Sequence, residues 1–499
     1  MLKKVVASIS ILSVITWSNL HASELDTDLD GFDVEEIATE ESDDLAGFGD
    51  EGSDLDGFSD EDSQDTSEEV SQEPSNYTLS GNVAFKTSYG IREHGVKANK
   101  SDTVPVDYSG FNQAQLSSYL QFDAKLSDNW KARVSGDAFY DAIYDLQTDN
   151  SYNQETLDAY QTQLRFDDVY LQGRLTSDID LKIGRQIVVW GKSDSIRITD
   201  VINPLDNRLP GMTDIEDLRL STTMAKLDYY IGQWNLSAMA IGESRTFIEA
   251  APRSEFFPVD KIFPNAPDPF IELEQPEHSL QNMQYALAAN GVFSGWDLSF
   301  YGADVLDSKW HIEGSIPARS AKRVVSKIQM LGSAINIATG SWLLKSEAAY
   351  INGVRYNSTQ DKKSRLDALI GVDYMGVSDT VLSLEVANKH IFDYEAQMSG
   401  FTLGFIPDYT EEDEVQTALR ATHSFSNDSI NATALLSMFG HNWEYGGFFR
   451  ASLEYDVMDA VVANFGVINY LSAAKSEDKP MIDAISNNDR VFADITYSF

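Results

Sequence analysis

Apolar and polar residues alternate with period two over long stretches of this chain. Across Phe448–Val457, Phe449, Ala451, Leu453, Tyr455 and Val457 share one face, and Arg450, Ser452, Glu454 and Asp456 share the other. Successive strand side chains point to opposite faces, so the pattern predicts a strand with one greasy and one charged side. Trp130–Tyr144 repeats it, with Trp130, Ala132, Val134, Ala138, Tyr140 and Tyr144 against Lys131, Arg133, Asp137 and Asp141. Leu116–Leu126 and Leu366–Tyr374 do the same. Alternation alone fits a soluble sandwich as well as a membrane barrel.

Three further features separate the two. Tight turns are predicted near Ser127-Asp128-Asn129, Ser177-Asp178, Gly232-Gln233, Ser294-Gly295, Thr339-Gly340, Ser378-Asp379, Asn427-Asp428 and Met458-Asp459, and between them run loops as long as Phe247–Ser279. Short turns at one end and long loops at the other mark outer-membrane barrels. Trp130, Trp234, Trp296 and Trp342 each follow a turn closely, which sets four indoles at one level, as in an interfacial girdle. Val491, Ala493, Ile495, Tyr497 and Phe499 alternate up to a final Phe. Ile495, Tyr497 and Phe499 thereby resemble the C-terminal signal read by the outer-membrane barrel assembly machinery.

Eight tight turns give sixteen strands, and a first strand near Tyr77–Gly90 with a last near Arg490–Phe499 makes eighteen. The expected fold is all-β: one closed antiparallel transmembrane β-barrel of about 18 strands over residues 76–499, with 16 as the alternative. Both termini are then expected in the periplasm. A barrel of that width cannot be filled by its strand side chains, so its lumen holds water, a plug, or both.

Composition changes the picture ahead of the barrel. Lys3, Lys4 and the apolar run Val5–Trp17, followed by Leu20-His21-Ala22, have the layout of a secretory signal peptide over residues 1–22. Residues 23–75 hold 22 Asp or Glu and no Lys, Arg or His. Removing those charges and the leader's two lysines leaves −22 of the total −42 on residues 76–499. So acidic a stretch is expected to be disordered and periplasmic. It repeats Asp-Leu-x-Gly-Phe three times, pairing Leu29 with Phe32, Leu45 with Phe48 and Leu55 with Phe58. These pairs read either as docking motifs for a periplasmic or exporter partner, or as a solvated spacer. The chain has no cysteine, which excludes disulfides, thiol catalysis and thiolate metal sites. No metal site, cofactor or nucleic-acid partner is expected; the other expected contacts are outer-membrane lipid and lipopolysaccharide.

Lys131, Arg133, Arg165, Lys182, Lys226, Arg365 and Arg450 alternate inward together with Asp137, Asp141, Asp228, Asp367, Asp373, Glu454 and Asp456. On the lipid side, a Lys or Arg near the midplane costs roughly 2–4 kcal/mol, so these residues belong to the lumen. There they either select permeant solutes or brace the wall with salt bridges. Arg185 has the parity of the lipid-facing Leu181 and Ile183, and a bulge at Gly184 is expected to turn it inward and break the ladder. Two long loops are expected to fold into the lumen and constrict it. One is Lys192–Leu218, with Asn203, Pro204, Asp206 and Arg208; the other is the proline-rich Phe247–Ser279, with Phe256, Phe257, Phe263 and Phe270. The alternative is that they pack outward on themselves or on lipopolysaccharide.

Gly184-Arg185-Gln186-Ile187-Val188-Val189-Trp190-Gly191, followed by Asn203-Pro204-Leu205-Asp206 and Leu218-Arg219-Leu220, resembles a porin-like family of proteobacterial outer-membrane barrels. Its members are often encoded beside exporters of the resistance-nodulation-division type. The likeness covers about forty residues, and the acidic repeats are not part of the family pattern. It implies passage of small, apolar or lipid-like molecules across the outer membrane. An outer-membrane channel is therefore the leading reading. A barrel lipase or protease would need a Ser–His or Asp–His constellation, and His278, His390, His423 and His441 sit in no hydrolase motif. A surface adhesin would rest on the long loops alone. A plugged, energised receptor would need a folded domain where only the acidic stretch stands.

Overall fold

The computed structural model describes residues 76–499, apart from 265, 268–269, 308, 315–319, 401–406, 473 and 476–478. The predicted leader, the acidic stretch and its three Leu/Phe pairs lie outside the described residues.

Eighteen long strands form one ring. The first six are β1 (Tyr77–Gly90), β2 (Gly110–Ser127), β3 (Trp130–Asp141), β4 (Thr162–Thr176), β5 (Ile179–Gln186) and β6 (Thr222–Ile231). Then come β7 (Trp234–Ile241), β8 (Gln284–Phe293), β9 (Trp296–Leu306), β10 (Lys327–Thr339), β11 (Trp342–Val354) and β12 (Lys363–Val377). The last are β13 (Thr380–Ile391), β14 (Asp413–Phe425), β15 (Ile430–Phe439), β16 (Gly447–Met458), β17 (Val461–Leu471) and β18 (Arg490–Ser498). Neighbours in sequence pair antiparallel, and β1 closes the ring by pairing with both β2 and β18. At the seam, Gly81 and Phe499 exchange backbone hydrogen bonds of 2.9 and 3.0 Å. Closure leaves no sheet edge, the condition for spanning hydrocarbon with strands. The sixteen-strand alternative is excluded.

All eight expected tight turns are present, joining β2–β3, β4–β5 and so on to β16–β17. Gly232 and Gly340 take φ of +60° and +57° in two of them, a conformation that costs a side-chain-bearing residue more. β3 ends at Asp141, three residues before the apolar pattern does. The Asp141 carboxylate accepts the backbone N–H of Ala114 at 2.9 Å and of Ile143 at 3.1 Å, which starts the helical turn Ile143–Leu146.

The outer face is apolar. Leu116, Leu120, Leu164, Leu287, Leu331 and Ile370 stand exposed on it, a belt suited to lipid rather than water. Trp130, Trp234, Trp296 and Trp342 open β3, β7, β9 and β11, so the indoles do share the tight-turn level. Two of them lie over neighbouring-strand glycines: a Cβ on Gly173 would stand 2.2 Å from the Trp130 ring, and one on Gly291 would stand 3.0 Å from Trp234. The ring covers backbone that glycine leaves bare.

The lumen is asymmetric, which alternation did not predict. Within β6–β15 the inner face carries Met224, Met239, Ile241, Tyr301, Val305, Ile328, Met330 and Ile351, packed on Val188, Trp190, Ile196, Ile198 and Ile202 from the β5–β6 connection. Half of the barrel thus holds a core of the soluble kind. The inner face of β1–β5 stays polar, with Gln113, Gln115, Asp123, Arg133, Asp137 and Arg165.

Candidate functional site

Burying backbone inside a barrel requires a partner for every N–H and C=O. For the segment after β5, the wall supplies carboxylates. Glu347 on β11 accepts the backbone N–H of Ser193 at 2.7 Å and the Thr199 hydroxyl at 2.8 Å. Glu385 on β13 accepts the Ser193 hydroxyl at 2.7 Å, Asp194 N–H at 2.9 Å and Ser195 N–H at 3.1 Å. Gly191 passes so close to Glu347 that a Cβ would meet its carboxylate at 2.8 Å. Lys345, with a fully buried side chain, sits between Asp194 and Asp373, the latter at 2.7 Å. Trp190 stacks on Tyr301 at 4.7 Å, and Lys192 pairs with Asp297 at 2.9 Å, one residue from a tight turn. The segment therefore reaches deep into the lumen.

Asn203 ties the ends of this loop together. Its Oδ1 accepts Val188 N–H at 2.8 Å and its Nδ2 donates to the Leu220 carbonyl at 2.8 Å, while the Pro204 carbonyl accepts Leu220 N–H at 2.8 Å. Asn203 and Pro204, expected at a constriction, are buried staples instead. Asp206 and Arg208 pair with each other, largely buried, along the lining of the remaining cavity. Burial alone would raise the Asp206 carboxyl, but hydrogen bonds and charge from Arg208 outweigh it and hold the group below its usual range.

The four phenylalanines of the next loop divide. Phe256 packs on Ile468, Tyr470 and Ile485 and lines the remaining cavity. Phe257, Phe263 and Phe270 do not face a passage. They pack on one another, on Val259, Ile262 and Ile271, and on Ala484 and Tyr409 of other long loops, forming a cap with its own small core. The aromatic count that suggested a constriction reflects this cap.

Along the polar wall the expected lumen residues pair in rows. Arg133 donates to Asp123 at 2.7 Å; Arg165 meets Asp137 at 2.8 Å, Asp167 at 3.0 Å and Asp206 at 3.3 Å. Lys182 lies 4.1 Å from the Tyr170 ring centre, and Lys226 pairs with Asp228 at 3.3 Å. Asp141 is a turn cap, as above. Arg365 holds Asp367 with two bonds of 2.6 and 2.8 Å. Arg450 and Arg420 clamp Asp214 of the inserted loop, Arg420 at 3.2 Å. Lys131 is half-buried, and Glu454 and Asp456 stand exposed toward the tight-turn end of β16.

Arg185 departs from expectation. The register of β5 with β4 and with β6 runs unbroken through Gly184, so no bulge turns Arg185 inward. It stays on the outer face near the long-loop end, hydrogen-bonded to Glu243 and to the Phe166 carbonyl at 3.2 Å. The extra residue sits one strand away: Val134 and Gly136 of β3 face Val169 and Phe166 of β4, so Asp167–Asp168 make the bulge.

Between the polar wall, the inserted loop and the helix Gln154–Tyr160 lies a cavity of about 290 Å³ at the long-loop end. Gln113, Gln115, Phe139, Arg165, Arg208 and Phe256 are among its lining. Glu347, Glu385 and Lys345, which set the inserted loop, were missed from sequence. Their signal is faint: Lys345 and Glu347 are the charged positions of β11, and Glu385 shares β13 with a second charged residue, Lys389.

Solved structures with a similar fold include OccAB1 of Acinetobacter baumannii, at 11% identity over 84% of this chain and 96% of that one, with a TM-score of 0.49. OccK2 (OpdF) of Pseudomonas aeruginosa in complex with glucuronate matches at 13% identity, 85% and 98% coverage, and a TM-score of 0.44. A BenF-like porin from Pseudomonas fluorescens Pf-5 matches at 11%, 86% and 98%, and 0.45. None of the curated proteins searched matches the chain. A family model described as "Protein of unknown function (DUF1302)" matches residues 65–499, the whole barrel with its inserted loops, and the chain belongs to that family.

Proposed function

We propose that this protein is an outer-membrane channel for small solutes, with the tight turns and both termini in the periplasm and the long loops outside. The observation that carries the reading is the asymmetric lumen: an inserted loop anchored on Glu347 and Glu385 fills one side, while β1–β5 keep a charged wall facing a cavity. A barrel needing only rigidity would have no use for exposed lumen charges such as Lys86, Glu454 and Asp456. Passage follows the polar wall, past Arg165 and Arg208 and then Arg133 and Lys131. The lining mixes both charge signs with Phe139, Tyr160 and Phe256, which favours polar or amphiphilic organic solutes over wholly apolar ones. The Leu/Phe repeats of the acidic stretch would dock a basic-rimmed periplasmic partner. The test is solute entry into liposomes carrying the purified barrel. Swelling with monosaccharide-sized solutes and none with oligosaccharides supports a constricted channel; exclusion of all solutes counts against it.

A further inference from the structure

Six of the eight charged side chains lining the cavity are already satisfied. Asp141 caps backbone N–H groups, Arg165 and Arg208 share Asp206, and Glu255 is held by Arg490 and by His94 at 2.8 Å. Lys86 and Asp217 differ. Both line the cavity and both are exposed within it, yet neither side chain makes a hydrogen bond or ion pair with any described residue. Lys86 projects from β1 beside Gln115, its cross-strand neighbour. Asp217 lies on the inserted loop, where desolvation and then the Glu216 and Asp214 carboxylates push its carboxyl up against the opposing pull of Arg450 and Lys86.

A cation and a carboxylate in one small chamber, near enough to feel each other's charge but with neither side chain in contact with a partner, disfavour a singly charged guest. An anion on Lys86 would meet the acidic end, and a cation on Asp217 would meet the ammonium. A guest carrying both charges satisfies both. The volume, about 290 Å³, falls just below the roughly 300–1,000 Å³ usual for ligand sites, so the guest is small. The chamber also offers an apolar surface from Phe139, Tyr144 and Phe256.

We propose that this cavity binds small zwitterions of the α-amino-acid class, the carboxylate on Lys86 and Gln115, the ammonium on Asp217, and the side chain on the aromatic surface. The site rests on the channel reading only in requiring that solutes reach the cavity. Binding is therefore measured apart from conduction, by calorimetry on the detergent-solubilised full barrel. Three probes share one side chain: leucine, 4-methylpentanoate, which lacks the ammonium, and 3-methylbutylamine, which lacks the carboxylate. Leucine is expected to bind about tenfold more tightly than either, the difference one charge-assisted contact makes. Lys86→Gln and Asp217→Asn should each reduce leucine to the level of the analogues, and the exchange Lys86→Asp with Asp217→Lys should recover part of the loss. Heat-modifiable migration on gels reports that each variant barrel is folded. Equal binding of the three probes, no binding of leucine, or unchanged leucine affinity in both single variants overturns the site. Leucine binding to a barrel that passes no current would leave the site standing and remove the channel.

Discussion

Glu347, on the inner wall, accepts the backbone N–H of Ser193 at 2.7 Å across 154 residues of sequence. Together with Glu385 it does for the inserted loop what a neighbouring strand would do, satisfying N–H groups that no ladder reaches. Each buried donor left without a partner costs about 1–3 kcal/mol. Glu347→Ala strands at least the Ser193 and Thr199 donors, so a loss on the order of 3 kcal/mol is expected. The urea midpoint of folding into lipid vesicles measures it. Glu347→Gln, which retains an acceptor oxygen, should lose less than half as much.

Arg185 and Arg450 are both arginines on barrel strands, and their surroundings predict opposite phenotypes. Arg450 is buried on the inner wall and clamps Asp214 of the inserted loop. Arg185 is outside and bound to Glu243. Arg450→Met should change cation-to-anion selectivity, read as a shifted reversal potential under a salt gradient. Arg185→Met should leave the reversal potential unchanged and lower only the yield of folded barrel.

Trp130 over Gly173 gives a stability prediction for the girdle. Trp→Ala costs roughly 3–5 kcal/mol in full cores, and about half of that is expected for this half-buried ring. Gly173→Ala should also destabilise, because the added methyl meets the indole. If the double variant loses no more than Trp130→Ala alone, the two positions act as one unit; full additivity would mean that the ring and the glycine are independent.

Asp206 and Asp217 shift in opposite directions, and so do their pH effects. Asp206, held low, contributes stability that is complete above its unfolded value near 4 and is lost as pH falls through the lower folded value. Asp217, pushed up, is strained when ionised at neutral pH and relaxes as pH falls through its raised value. Asp217→Asn should therefore stabilise the barrel at pH 7 and match the parent under mildly acidic conditions. Asp206→Asn should be destabilising across that range, with the gap closing only below pH 4. Unfolding midpoints at several pH values distinguish the two.

The turns, girdle and closure were legible because each depends on local spacing: a turn pair, a tryptophan after it, a two-residue period. The plugged half was not, because in β10 Ile328 and Met330 face inward while Leu331 and Ile337 face lipid, and a sequence apolar on both faces does not say which side is lipid. The carboxylate anchors depend on contacts between residues more than 150 apart, beyond any local pattern. Glycine marks position 184 as a place for a bulge, but the bulge lies at Asp167–Asp168, where two consecutive acids carry no such mark.

Single-channel recording in planar bilayers tests the constricted channel most directly. Three forms are compared: the full barrel, one with residues 190–202 replaced by a short Gly-Ser linker, and one with the cap segment 257–271 replaced likewise. The full barrel should show a small, steady conductance, rising severalfold when 190–202 is replaced and much less when 257–271 is replaced. Silence from all three forms, or one conductance common to them, would contradict a passage set by the loop that Glu347 and Glu385 hold in place.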